Sequence, residues 1–162
     1  MAVWQFTTCL VPKSWATANA GNASLLSSDD GFDSSIAWMD LTIDRCSFDE
    51  AFDKVLGRRK AWHENQTAWG DEQRTDIQLW IEQGRIEEIQ LRLNLNEDLE
   101  PFLSRFCEAL DGLDCIVFVP ETKQLLPLAP DTIIRAALAS TAASFVKDPH
   151  AYLSKLSRET SS

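Results

Sequence analysis

Residues 76–95, DIQLWIEQGRIEEIQLRLNL, carry the pattern that decides the fold. Apolar and polar residues alternate on both sides of Gln83–Gly84, and Gly84 can adopt the positive φ that a two-residue turn requires. A period of two places every second side chain on the same face of a strand. The segment therefore predicts an antiparallel β-hairpin. One face carries isoleucine and leucine, and the other carries glutamine, arginine, asparagine, glutamate and tryptophan.

Helical spacing of apolar residues appears in three segments. The first is residues 47–57, where Ser47 and Glu50 form a capping box in which each side chain satisfies a backbone N–H at the start of the helix. Residues 97–111 predict a second helix, and residues 130–147 predict a third that is apolar on more than one face. A helix of that kind is typical of a well-buried position.

The remaining segments predict short strands and loops, and the order of elements indicates the fold class. The additional strands are expected at residues 2–11, 35–43, 114–119 and 124–128, with polar loops at residues 16–33 and 58–75. Strand, strand and helix follow one another three times, which favours an α+β fold. We expect a largely antiparallel sheet with about three helices on one face. A mixed sheet with helices on both faces is the alternative.

Size and charge restrict the classes of protein further. The chain has 162 residues, is 44% hydrophobic and carries a net charge of −10. These values predict one globular domain, residues 1–153, followed by a polar tail, residues 154–162. The negative charge disfavours direct binding to nucleic acid or to an anionic membrane. The chain has neither a long apolar run nor a recognisable leader, and its four cysteines are not paired in motifs, so we expect a cytoplasmic protein with reduced thiols.

The sequence contains no motif for a common catalytic or metal site. The two histidines, His63 and His150, have no partner at metal-ligand spacing. The acidic run at residues 29–33 lacks the spacing of a calcium-binding loop and is typical of a turn. A cysteine–histidine pair could be assembled around Cys46, but a small residue in a packed turn is the simpler interpretation. We therefore predict a protein that is not an enzyme and binds neither metal nor cofactor.

Tryptophans and acids concentrate around the hairpin and predict a contact surface. Two tryptophans lie in the 58–75 segment, a third lies on the hairpin opposite its apolar residues, and residues 71–114 hold twelve acids against four arginines. Tryptophan is the residue most enriched in binding hot spots, and a charged surface accelerates association with a partner of opposite charge. The predicted partner-binding residues are Trp62, Trp69, Trp80, Asp71, Glu72, Glu82, Glu87 and Glu88.

Three fragments carry a resemblance to other proteins. They are WQF…LVPxxW at the start, AWGDE…DIQLWIE…GRIEEIQLRLNL in the middle and SFVKDP near the end. With these fragments the chain resembles small acidic bacterial proteins of unknown function, of the toxin-immunity or accessory type. The resemblance implies a non-catalytic cytoplasmic protein that binds and blocks a toxin domain, and acidic partners of this kind often face a basic nuclease. It assigns no residue roles.

Three functional hypotheses follow from these patterns. The first is an immunity-like inhibitor that occludes a basic toxin or another protein partner through an acidic surface bearing tryptophan. The second is a small-molecule-binding domain or weak enzyme with a pocket under the loop at residues 58–75. The third is a subunit of a homo-oligomer in which the Trp80 face is buried by self-association.

Overall fold

The computed structural model of the protein describes residues 2–39, 45–150, 154 and 157–158. In chain order the elements are β1 (Gln5–Pro12), α1 (Lys13–Ala18), β2 (Ser27–Ser28), β3 (Gly31–Phe32), α2 (Arg45–Asp53), β4 (Arg58–Arg59), β5 (Gln66–Gly70), β6 (Asp76–Glu82), β7 (Arg85–Asn94), α3 (Leu99–Ala109), β8 (Cys115–Val119), β9 (Gln124–Leu126), α4 (Pro130–Leu138) and α5 (Thr141–Lys147). Short 3₁₀ turns occupy Ala23–Leu26 and Ser35–Ala37.

The described strands form a seven-stranded sheet in the order β4–β5–β6–β7–β1–β8–β9, and β2 pairs with β3 in a separate hairpin. Every pairing is antiparallel. The N-terminal strand β1 lies between β7 and β8, so the chain returns to its first strand after completing the central hairpin. The prediction of an α+β fold with a largely antiparallel sheet is confirmed.

The hairpin predicted at residues 76–95 is confirmed as β6 and β7. Gln83 and Gly84 have φ values of 51° and 75°, the combination of two positive φ angles that matches the twist of the flanking strands. Leu79 pairs with Ile89 and Ile77 with Leu91, which gives the hairpin an apolar face. This apolar face is the floor of the hydrophobic core.

An aromatic cluster joins the helices to the apolar face of the sheet. The ring of Phe52 in α2 lies with its centroid 5.1 Å from that of Trp69 and stacks 6.1 Å from that of Phe106 in α3. Phe48 continues the cluster to Trp38, whose ring is 5.7 Å away. Burial of each such side chain contributes about 1.5–3 kcal/mol, and each ring pair adds about 0.5–1.5 kcal/mol. Helix α4 adds its buried residues to the same core.

The segment at residues 58–75 is not the loop that the sequence predicts. It contains β4 and β5, and Trp69 of β5 is fully buried in the core. The indole Nε1–H of Trp69 donates to Asp53 Oδ1 at 2.8 Å, and the guanidinium of Arg58 covers the ring with its Cζ 5.6 Å from the ring centroid. The strand was missed because five residues give too few periods to stand out among polar neighbours.

Two of the predicted helices differ from those in the structure. The helix expected over residues 130–147 is divided into α4 and α5 at Ser140, whose side chain accepts from the Ala143 N–H and donates to the Ala137 carbonyl. Helix α2 already includes Arg45, so Ser47 is inside the helix and is not its N-cap. By contrast, α3 begins where predicted, with Asp98 accepting from the Glu100 N–H at 3.2 Å.

The remaining differences concern the first third of the chain and the sheet edge. The loop predicted at residues 16–33 contains the end of α1, a 3₁₀ turn and the β2–β3 hairpin. The strand predicted at residues 35–43 is a 3₁₀ turn at Ser35–Ala37, and its residues 40–43 lie outside the described residues. The final strand, β9, is shorter than the predicted 124–128. Most of the predicted tail at residues 154–162 also lies outside the described residues.

Candidate functional site: the polar face of the sheet

The face of the sheet opposite the aromatic core carries polar side chains across β5, β6, β7 and β1. The register pairs Asp76 with Arg92, Gln78 with Gln90 and Trp80 with Glu88. Paired residues of neighbouring strands point to the same face. We call this surface the polar sheet face; it includes Arg59, Gln66, Asp76, Gln78, Trp80, Glu87, Glu88, Gln90 and Arg92.

A buried ion cluster lies at one end of the polar sheet face. The carboxylate of Asp76 is completely inaccessible and accepts from Arg92 through both of its oxygens. It also accepts from Arg59 Nη2 at 2.8 Å and from the Gln78 amide at 3.2 Å. Two guanidinium groups therefore share one buried carboxylate, and Glu72 lines the cleft beside Arg92.

The opposite end is acidic because of a β-bulge. Trp80 pairs with Glu88 and Ile81 pairs with Ile86, which leaves Glu87 as an extra residue in β7. A bulge sets two residues of one strand against one of its partner and redirects their side chains. Here it brings the neighbouring carboxyl groups of Glu87 and Glu88 to one end of the face. Glu82 lies beside them in β6.

The carboxyl groups at this acidic end resist ionisation. A hydrogen bond with Glu82 raises the pKa of Glu87, and burial and the charges of Asp33 and Glu88 raise it further. Burial raises the pKa of Glu88, although the Cys9 thiol, which donates to Glu88 Oε1 at 3.7 Å, partly offsets this rise. Like charges that are close together favour protonation of one member.

Two tryptophans flank a cleft on the polar sheet face. Trp62 is 74% exposed, and its backbone N–H donates to Gln66 Oε1 at 2.9 Å. Trp80 is half-buried in the face. Together with Gln78 and Arg92 these residues line a cleft of about 330 Å³. The cleft therefore combines aromatic surface with amide groups, the guanidinium of Arg92 and the carboxylate of Glu72.

A larger cleft of about 670 Å³ continues from Arg92 towards α5. Its lining includes the polar residues Gln90, Glu121 and Lys123, but most of the surface that it exposes is apolar. Glu121 Oε1 also accepts from the backbone N–H of Thr141 at 3.1 Å, so it is engaged in the start of α5. Arg92 therefore borders both clefts and joins them along the sheet.

The structure brings together most of the predicted contact residues but not all of them. Trp62, Trp80 and Glu72 line the smaller cleft, whereas Glu82, Glu87 and Glu88 form the acidic end at the bulge. Asp71 lies in the exposed turn after β5, where its Oδ1 accepts from the Gln73 N–H at 2.9 Å. Trp69 is buried on the opposite face and is not presented to a partner.

Sequence reasoning missed the Arg59–Asp76–Arg92 cluster. Part of the signal was present, because Asp76 and Arg92 both occupy the polar phase of the hairpin. Counting residues from the Gln83–Gly84 turn without a bulge would have misaligned the strands by one residue. The position of Arg59 could not have been inferred, because β4 itself was not predicted.

The described residues also restrict the chemistry that the site can perform. Burial and the nearby Glu100 charge raise the pKa of Cys107 to about 11, and burial and Asp114 raise that of Cys115 to about 12. Burial likewise raises the pKa of Cys9. These three thiols are protonated at neutral pH and are poor nucleophiles. In the parts of the chain that the structure describes, no group of three or more His, Cys, Asp or Glu side chains is arranged to hold a metal ion.

The fold and the site define an α+β protein with an antiparallel sheet whose polar face carries a buried arginine–aspartate cluster at one end and an acidic bulge at the other. No family model matches the chain, and neither a curated protein nor a solved structure matches it. None of the helices in the described ranges has the length and apolar character required to cross a bilayer.

Proposed function

We propose that the protein is a non-catalytic binding protein that engages a basic protein partner through the polar sheet face. The observation that carries this proposal is the 74% exposure of Trp62 beside Trp80 and the acidic bulge. A large indole exposed to water is unfavourable unless a partner covers it, and tryptophan contributes strongly once it is buried in an interface. The narrower form of the proposal is an immunity-like inhibitor that covers the active site of a basic toxin domain.

The charge distribution supports a cationic partner. The net charge of −10 attracts a basic surface at long range and increases the rate of association. Glu82, Glu87 and Glu88 then supply acceptors at the contact itself. The relevant tryptophans are Trp62 and Trp80, and Trp69 has no part in the contact because it is buried on the opposite face.

The test is capture of partners from native lysate with matched surface variants. Trp62→Ala removes the exposed indole, whereas Leu138→Ala removes an apolar side chain that is 70% exposed on α4. A partner held by the polar sheet face should be captured by the wild type and by Leu138→Ala. Trp62→Ala should bind it about 30-fold more weakly, the scale of a hot-spot residue. The proposal fails if no protein distinguishes the two variants.

A second function is favoured by the cleft between Trp62 and Trp80. The cleft has a volume of about 330 Å³ and is lined by Trp62, Trp80, Gln66, Gln78, Arg92 and Glu72. It suits a planar small molecule whose anionic group meets Arg92 and whose hydrogen-bond donor meets Glu72. Titration of planar aromatic carboxylates, followed by tryptophan fluorescence, examines this function. Quenching that saturates in the wild type and disappears in Trp80→Leu is the expected result. Quenching that persists unchanged in Trp80→Leu would count against it.

Self-association through the Trp80 face is the third possibility, and it is distinguished by size. Sedimentation velocity should show a dimer that dissociates in Trp62→Ala if this face meets a second copy. A monomer at high concentration removes self-association and leaves the other two functions.

A further inference from the structure

A separate small cleft lies at the bulge, at the acidic end of the polar sheet face. Its volume is about 330 Å³. It is lined by Phe32, Asp33, Ser34, Ser35, Trp80, Glu87 and Glu88. Three carboxyl groups, two hydroxyl groups, one indole and one phenyl ring therefore line a space large enough for one long side chain. This arrangement provides many acceptors and an aromatic surface, but no cation lines it among the described residues.

Charges from all surrounding elements make the cleft repulsive to further negative charge. Glu82 acts on Glu87 from β6, Asp33 from the segment after β3, and Glu88 from the same strand. Cys9 of β1 meets Glu88 through a protonated thiol. The pKa of Glu87 is therefore raised above that of a single exposed glutamate.

Ser34 supplies the second, independent observation. Its side chain is 1% exposed and lines this cleft, yet its Oγ has no hydrogen-bond partner among the described residues. Buried hydroxyl groups almost always have a partner in a native protein, and leaving one without a partner costs free energy. An incoming hydrogen-bond donor would correct this deficit.

We propose that the cleft at the bulge receives one arginine side chain of the protein partner. The guanidinium group has five N–H donors in a plane, which can satisfy Glu87, Glu88 and Ser34 together. Its planar face can stack on the ring of Trp80. This inference rests on the proposed function, because it names the chemical group by which the partner is recognised.

The lining of this cleft disfavours a metal ion and a lysine side chain as its occupant. A metal ion would need a convergent set of ligands, and no described group of residues provides that geometry. A lysine ammonium would neutralise the charge, but it cannot both span two carboxyl groups and stack on an indole. Binding of the guanidinium stabilises both carboxylates. Because the pKa of Glu87 is raised in the free protein, binding of a cation beside it favours loss of its proton to the solvent.

The test uses short blocked peptides as probes. One contains a single arginine between glycines, the second contains citrulline, which has the same shape without the charge, and the third contains lysine. Binding is followed by the NMR shift of the Trp80 indole N–H and by calorimetry near pH 5 in two buffers of different ionisation enthalpy. The arginine peptide should shift the indole signal saturably and release protons, whereas the citrulline peptide should do neither. Equal binding of citrulline, or shifts confined to other regions, would overturn the proposal.

Two charge-matched variants complete the design. Glu87→Gln should weaken binding of the arginine peptide about tenfold, the contribution of one charge-assisted hydrogen bond. Glu108→Gln removes one exposed carboxylate from α3 and should leave binding nearly unchanged. Equal effects of the two variants would mean that only the net charge matters, and the cleft would be rejected. Circular dichroism is the control for folding. Glu87→Gln should give the same spectrum as the wild type, because the change removes like-charge repulsion.

Failure of the cleft and failure of the proposed function give different results. A captured partner that depends on Trp62 but is unaffected by Glu87→Gln retains the function and rejects the arginine cleft. Specific binding of the arginine peptide without any Trp62-dependent partner retains the cleft and rejects the function.

Discussion

Removing the charge of Asp76 should be the most destabilising single charge change on the polar sheet face. Its side chain is 0% exposed, and those of Arg92 and Arg59 are only 11% and 16% exposed. Asp76→Asn preserves the shape of the side chain but leaves two neighbouring guanidinium groups without a counterion. Removal of one partner from a buried ion pair costs about 3–5 kcal/mol, a large part of the roughly 5–15 kcal/mol stability of an ordinary domain.

Urea unfolding measures this loss directly. With a denaturant slope of about 2 kcal/mol per M, the midpoint of Asp76→Asn should fall by about 1.5–2.5 M. Glu97→Gln is the control, because the Arg74–Glu97 pair is 3.5 Å apart with side chains 68% and 44% exposed. That surface pair should contribute less than about 1 kcal/mol.

A second substitution separates charge imbalance from general damage. Arg59→Met in the Asp76→Asn background removes one of the two uncompensated cations, so it should restore part of the lost stability. A double-mutant cycle with the single variants isolates this coupling. The reasoning is refuted if Asp76→Asn lies within about 1 kcal/mol of Glu97→Gln at an unchanged denaturant slope. It is also refuted if Arg59→Met makes the Asp76→Asn protein still less stable.

Three other results are expected from local geometry. Gly70→Ala should lower stability by at least about 2 kcal/mol in thermal unfolding, because Gly70 has a φ of +83° and an added Cβ would lie 2.3 Å from a carbonyl oxygen. Gly57→Ala is the control and should be nearly neutral, because a Cβ added there would have no other atom within 4 Å. Glu87→Gln should stabilise the protein at pH 7 but not at pH 3. The pKa of Glu87 is raised in the folded state, so its ionisation lowers the free energy of unfolding as the pH rises from the ordinary glutamate range through the folded value. An equal gain at both pH values in urea titrations would contradict this. The exposed Cys46 should react with a thiol reagent at pH 8 much faster than the buried Cys115, whose pKa is raised to about 12. The two reaction rates are followed by absorbance, and equal rates would show that the core opens readily.

The parts of the fold that were predictable are those in which local pattern and tertiary packing agree. The alternation of residues 77–95 and the Gln83–Gly84 turn identify the central hairpin, because the turn joins two strands of matching period. Helix α3 was similarly clear from its stripe of apolar residues. Strand β5 was not predictable, since its five residues become a strand only by pairing with β6.

The candidate site was predictable only in its composition. The sequence indicated acids and tryptophans near the hairpin, and Trp62 and Trp80 do lie on one face. It could not separate these from Trp69, because the face on which a tryptophan lies depends on whether its segment is a strand. The bulge at Glu87 was also invisible, since one extra residue between paired strands leaves no mark on composition.

The net charge of −10 alone is a poor guide to how a partner would be oriented, because the polar sheet face is not uniformly acidic. Its acidic end lies at Glu87 and Glu88, whereas Arg59 and Arg92 at the other end are held against the buried Asp76. Asp76 and Trp80 are four residues apart on β6, which corresponds to about 13 Å. A basic group of a partner is therefore attracted to the bulge end of the face more strongly than to the end at Asp76. Orientation of this kind depends on the bulge, which concentrates the carboxyl groups, and would be lost by a substitution that realigns β7 even if the total charge were preserved.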